Sequence, residues 1–259
     1  MGAGVLHGMT IGVTVLTALA CGLILAAAPQ TWLNDTAHLQ RWHASRWARG
    51  PGPLVAALVI AAAAAVVFTL TVLAPPDPGW SAYAPLSGTT FAPAVPNSAD
   101  RIVSALLLGL VSGATPFLAT ADVSVRRLPD RIVIPVSVLA LGLIITGSVL
   151  GDLPMWFSSF FAGLLALVFF TALHLVGRVL RVRSMGLGDV KLAFIVFAVA
   201  GLFAPWAPAL VLVAMMLISG IWALIAAVRA GRVRGVTIAF GPAMLSGMWL
   251  GCLFAPILL

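Results

Sequence analysis

Glutamate is absent from the 259 residues, and charged side chains of every kind make up only 8% of the chain. A soluble domain carries roughly 25% charged residues, so this composition excludes a water-facing globular fold and calls for lipid as its solvent. Cysteine is nearly absent too. Cys21 and Cys252 fall in apolar stretches near opposite ends of the chain, and no CxxC pair exists. Neither a zinc site nor a disulfide framework is therefore indicated. The four histidines (His7, His38, His43, His174) are scattered without an HExxH, so neither a metal site nor a Ser/His pair competes. No cofactor is expected.

What the chain does have is apolar length. It is 62% hydrophobic, and its mean hydropathy is +1.14. A bilayer-spanning helix needs about 20 mostly apolar residues. Eight helices are predicted, over 5–28, 54–74, 102–121, 132–150, 155–175, 190–203, 209–228 and 236–258. Breakers separate them: Pro75-Pro76, Pro129, Pro154, Pro205 and Pro208. The sixth is short, so its start is expected at or before the glycines near Gly188. The segment to Ala28 has no basic residue ahead of its apolar run and reads as a transmembrane helix, not a cleaved leader.

A net charge of +7 raises the question of nucleic acid, but in a membrane protein it first poses a question of sidedness. Placing Arg41, Arg46 and Arg49 on the cytoplasmic side and alternating brings Arg126, Arg127, Arg131, Arg178, Arg181, Arg183, Lys191, Arg229, Arg232 and Arg234 to the same side. Thirteen of the fourteen basic residues then lie inside, and only Arg101 lies outside. The fold class expected is an all-α polytopic bundle of about eight spans with both termini extracytoplasmic. Its partner surface is the lipid bilayer, with no nucleic acid. Residues 1–101 would form two helices, a basic cytoplasmic loop holding Trp32, Trp42 and Trp47, and a Pro/Ser/Gly-rich outer loop. Residues 102–259 would form a six-helix core.

The seven acids are all aspartates. Asp77, Asp100 and Asp152 fall on the outer side at loop or helix-start positions, where solvated or capping roles are ordinary. Asp35 sits in Asn34-Asp35-Thr36, which is turn chemistry. Asp122 closes the third helix and Asp189 opens the sixth, so both reach the same cytoplasmic boundary despite 67 residues of separation. Acids so close to hydrocarbon are costly and are functional suspects by default. Two carboxylates at one depth suit acid–base hydrolysis: one proton is shared, the ionised partner activates water, and the protonated one polarises a carbonyl. Gly186 and Gly188 would give a substrate chain room to approach Asp189. Ordinary alternatives exist for each acid. Asp122 could pair with Arg126 or Arg127, Asp189 could cap its helix, and Asp130 is read as a cap or salt-bridge residue. Lys191 is either a topology determinant or a counter-charge near Asp189.

These residues carry a resemblance. Asp122-Val-Ser-Val-Arg-Arg-Leu128-Pro129-Asp130 resembles the first motif of the type IV prepilin peptidases, Gly186-Leu-Gly188-Asp189-Val-Lys191-Leu192 their GxGDxKL motif, and Ile238-Ala-Phe240-Gly241-Pro242 the stretch that opens their last helix. The resemblance covers about 102–258. It implies that Asp122 and Asp189 are catalytic, with Asp130, Gly186, Gly188 and Lys191 in support. It also implies a prepilin or pseudopilin substrate whose leader is cut at the cytoplasmic face of the inner membrane. Longer members carry two CxxC pairs in a domain linked to N-methylation. Here that position is the cysteine-free loop 30–53, so methyltransferase activity is not expected. The presenilin-type proteases share GxGD but place Tyr before the first aspartate, where this chain has Ala121. A proton- or cation-coupled transporter would predict mid-membrane acids and a repeat, and the sequence has neither.

Overall fold

The computed structural model describes residues 3–28, 51–74, 95–126, 128–180, 186–231 and 239–256. Among them every regular element is a helix: α1 (Ala3–Ala27), α2 (Gly52–Thr71), α3 (Ser98–Val125), α4 (Asp130–Leu150), α5 (Met155–Val179), α6 (Leu187–Phe203), α7 (Ala207–Ala230) and α8 (Gly241–Phe254). Six are long and apolar enough to cross a bilayer; α6 has 17 residues and α8 has 14. This is the fold of a polytopic helical membrane bundle. The outer loop expected over 75–100 is described only from Val95, and the basic loop expected over 30–53 only from Pro51.

Local chemistry sets the helix ends. α3 begins with a capping box in which the Asn97 side chain accepts from Asp100 N–H at 2.8 Å and the Asp100 carboxylate accepts from Asn97 N–H at 3.0 Å. α2, α7 and α8 each place a proline in the first turn, where its missing N–H costs nothing. α3 ends in Arg126, held in the left-handed region at φ 55°, and its N–H donates to the Asp122 carbonyl at 2.8 Å.

Close approaches give the packing directions. In lipid, helix association depends on small residues that let backbones meet. Gly109 and Gly113 of α3 admit the Thr14 and Ala18 carbonyls of α1, so these two helices run parallel. α5 and α6 run antiparallel, with Gly201 against Ser158 and Gly163 against Phe194. α7 and α8 do the same, Gly247 meeting Met215 and Gly251 meeting Val211. α6 is the axis of the bundle: every residue from Leu192 to Phe203 is buried. A helix apolar on all sides has no polar face to present, and it goes to the centre.

The helices therefore alternate between two polar ends. At the end where α3 starts, Asp100 is fully buried. It accepts from Trp156 Nε1 at 2.7 Å, Asp152 N–H at 3.1 Å and Leu153 N–H at 3.5 Å, besides its Asn97 bond. Arg101 donates there to the Leu73 carbonyl at 3.1 Å. The opposite end carries Asp122, Asp130, Asp189 and Lys191.

Candidate active site

Three helix termini and one short connection build this second end. The expected end of α3 at Ala121 falls short: the helix runs one more turn, so Asp122 lies inside its last turn rather than after it. That turn packs against the start of α8, and Asp122 is only 4% exposed. Its Oδ2 accepts from the Gly241 N–H at 2.9 Å. The charge of Arg126, one turn on, acts on the same carboxylate.

Asp189 sits in the first turn of α6, three residues after Gly186. Its Oδ2 accepts from the Gly186 N–H at 3.2 Å, so the capping role foreseen for it is present. Capping engages one oxygen only. The charge of Asp122 acts on Asp189 as well, so the two carboxylates share one electrostatic neighbourhood. Each has one oxygen, Oδ2, tied to a main-chain N–H.

Two contacts hold the segments around the pair together. Lys191 Nζ lies 2.8 Å from Asp130 Oδ1 across a half-exposed surface, so Lys191 pairs with Asp130. Asp130 thus makes the salt bridge foreseen for it. Gly188 lies against Leu128, where a Cβ would come within 3.0 Å of the Leu128 Cβ. Its value is close approach, not backbone freedom. Gly186 has an ordinary φ of −70° and open surroundings; a Cβ there would meet only Asp189 Oδ2, at 3.5 Å. Arg127 and residues 181–185 lie outside the described residues. Among the described residues, no three His, Cys, Asp or Glu side chains gather where they could hold a metal ion.

Gly241 is the member of this cluster that reasoning from side chains did not single out. Its contribution is a main-chain donor, which any residue type carries. The Phe240-Gly241-Pro242 pattern was the available signal.

Fold and site together define a multi-pass helical membrane protein with two buried or part-buried carboxylates at one end of the bundle. A family model described as the type IV leader peptidase family matches residues 105–228. The match supports a protease of the type IV leader peptidase kind, and it takes in α4, α5, α6 and all of α3 and α7 but their ends. No curated protein and no solved structure matches the chain.

Proposed function

We propose that this chain is a membrane aspartic endopeptidase that removes the leader peptide of type IV prepilins or pseudopilins at the cytoplasmic face of the inner membrane, with Asp122 and Asp189 as its catalytic pair. The observation that carries this reading is that Asp122 and Asp189, 67 residues apart in sequence, come to the same end of the bundle, near enough for the charge of Asp122 to be felt at Asp189. Two such carboxylates hold one proton between them more easily than two negative charges. The ionised carboxylate takes a proton from water as the water oxygen attacks the scissile carbonyl carbon. The protonated one gives its proton to the carbonyl oxygen, and the tetrahedral intermediate collapses as a proton reaches the departing nitrogen. Asp130, Lys191, Gly186 and Gly188 act in support: Lys191 with Asp130 and Gly188 with Leu128 hold the start of α6 against the segment after α3, and the Gly186 N–H holds Asp189.

Residues 102–259 form the peptidase core in this reading, and residues 1–101 supply an N-terminal helix pair. The substrate's apolar helix sits in the bilayer and presents its basic leader at the polar end of the bundle. Co-expression with a prepilin tests the reading. Asp122→Asn and Asp189→Asn should each abolish leader removal, seen as loss of the mobility shift, while both proteins remain in the membrane fraction. Normal processing by both variants would refute the proposal.

A further inference from the structure

We propose that Gly241, outside the segment matched by the family model, is a positioning residue for Asp122: its main-chain N–H pins Oδ2 and so fixes the orientation of the carboxylate. The inference rests on the protease reading and deepens it, since it makes α8 the third wall of the site beside α3 and α6.

Three observations carry it. The bond is 2.9 Å long and buried, and it comes from the first residue of a helix, where N–H groups have no partner within the helix. Position 241 also has no room for a side chain. A Cβ there would stand 2.8 Å from Asp122 Oδ2, 3.2 Å from its Cγ and 3.4 Å from its Cβ. Any residue but glycine forces the Asp122 carboxylate or the start of α8 to shift. Finally, α8 cannot retreat to make space. Trp249 Nε1 donates to Thr115 Oγ1 of α3 at 3.1 Å, two turns deeper. On the other side, Gly247 and Gly251 lie directly against the backbone of Met215 and Val211. The helix is fixed from both sides, and its first N–H is delivered to one place.

The comparison with Asp189 sharpens the point. Its donor, Gly186, stands in open surroundings, and a Cβ there makes only ordinary contact. Of the two glycine donors, Gly241 alone both donates and excludes.

The test separates the N–H from the missing side chain. Replacing Gly241 with glycolic acid by nonsense suppression changes the amide to an ester, removes the N–H and adds no atom. Kinetics are measured in detergent on a synthetic prepilin-type substrate, per folded molecule, with thermal unfolding recorded beside them. A hydrogen bond to a charged group is of a size that predicts a fall in kcat of about ten- to a hundredfold on its loss, with KM within about threefold. Gly241→Ala should lose at least as much; if it fails to fold, the ester variant carries the test alone. The proposal is overturned if the ester variant keeps the parent kcat, or if its loss lies wholly in KM or in the folded fraction. An ester variant with full activity beside inactive Asp122→Asn and Asp189→Asn would sink this inference while leaving the protease reading intact. Active Asn variants would sink that reading instead.

Discussion

Lys191 Nζ and Asp130 Oδ1 stand 2.8 Å apart, joining the second turn of α6 to the first turn of α4. The pair ties the segment that follows Asp122 to the helix that carries Asp189, so it acts on the geometry of the site from outside. Both side chains are partly exposed, at 37% for Lys191 and 58% for Asp130. Exposed pairs contribute about 0–1 kcal/mol, so Lys191→Ala should slow leader removal by no more than about fivefold. The effect should shrink further at high salt. The exchanged pair, Asp130→Lys with Lys191→Asp, should recover most of the rate. A loss beyond about a hundredfold in Lys191→Ala would assign that ammonium a part in the chemistry.

Gly188 and Leu128 form the second tie. Adding a methyl group at 188 forces Leu128 to give way, and overpacking of this kind costs about 1–3 kcal/mol. Leu128→Ala alone opens a cavity at a position only 9% exposed and costs about 2–5 kcal/mol. Leu128→Ala keeps the Cβ that a methyl group at 188 would meet, so it does not relieve Gly188→Ala. The double variant should be destabilised by the sum of the singles to within about 0.5 kcal/mol. Unfolding in detergent measures this, and a double variant clearly more stable than that sum would show that the end of the Leu128 side chain, not its Cβ, is what stands in the way.

Much of this arrangement was legible in the chain because lipid leaves a helix few options. Apolar runs broken by proline gave the eight helices to within a few residues, apart from the extra turns of α3 and α5 and the start of α8. Asp122 and Asp189 stood out because acids at a boundary are expensive. The missing parts needed rotation or distance. Lys191 lies two residues after Asp189, which suggests a shared task, but successive helical positions turn by about 100°, so the two side chains leave α6 on opposite faces. Asp100 was recognisable as a cap from its place before an apolar run. Its bonds to Asp152, Leu153 and Trp156, more than fifty residues on, arise only once α4 has returned to the same end.

Asp100 lies at the end of the bundle away from the pair, and that separation makes a prediction. The carboxylate accepts from four donors while fully buried. Asp100→Asn sets an amide group, itself a donor, among those donors. Hydrogen bonds to charged groups contribute about 1.5–3 kcal/mol, so the variant should lose about 3 kcal/mol of stability. It should nevertheless keep kcat per folded molecule within about twofold. Thermal unfolding and active-fraction titration read the two quantities separately. A large fall in kcat at unchanged stability would mean that this end of α3 communicates with the other.

The pair itself predicts the shape of the pH profile. A hydrolytic step that needs one ionised and one protonated carboxylate runs only in the singly protonated state. As pH falls both groups are protonated and no base remains; as pH rises both ionise and no acid remains. Leader removal, followed as kcat/KM against a synthetic substrate in detergent, should therefore trace a bell. Its two limbs belong to Asp122 and Asp189 jointly, not to one residue each. Lys191→Ala should leave both limbs in place, because the ammonium is engaged with Asp130. A single sigmoid that persists in Asp189→Asn would show that one carboxylate suffices, and the two-acid mechanism would have to be abandoned even if the protein remained a protease.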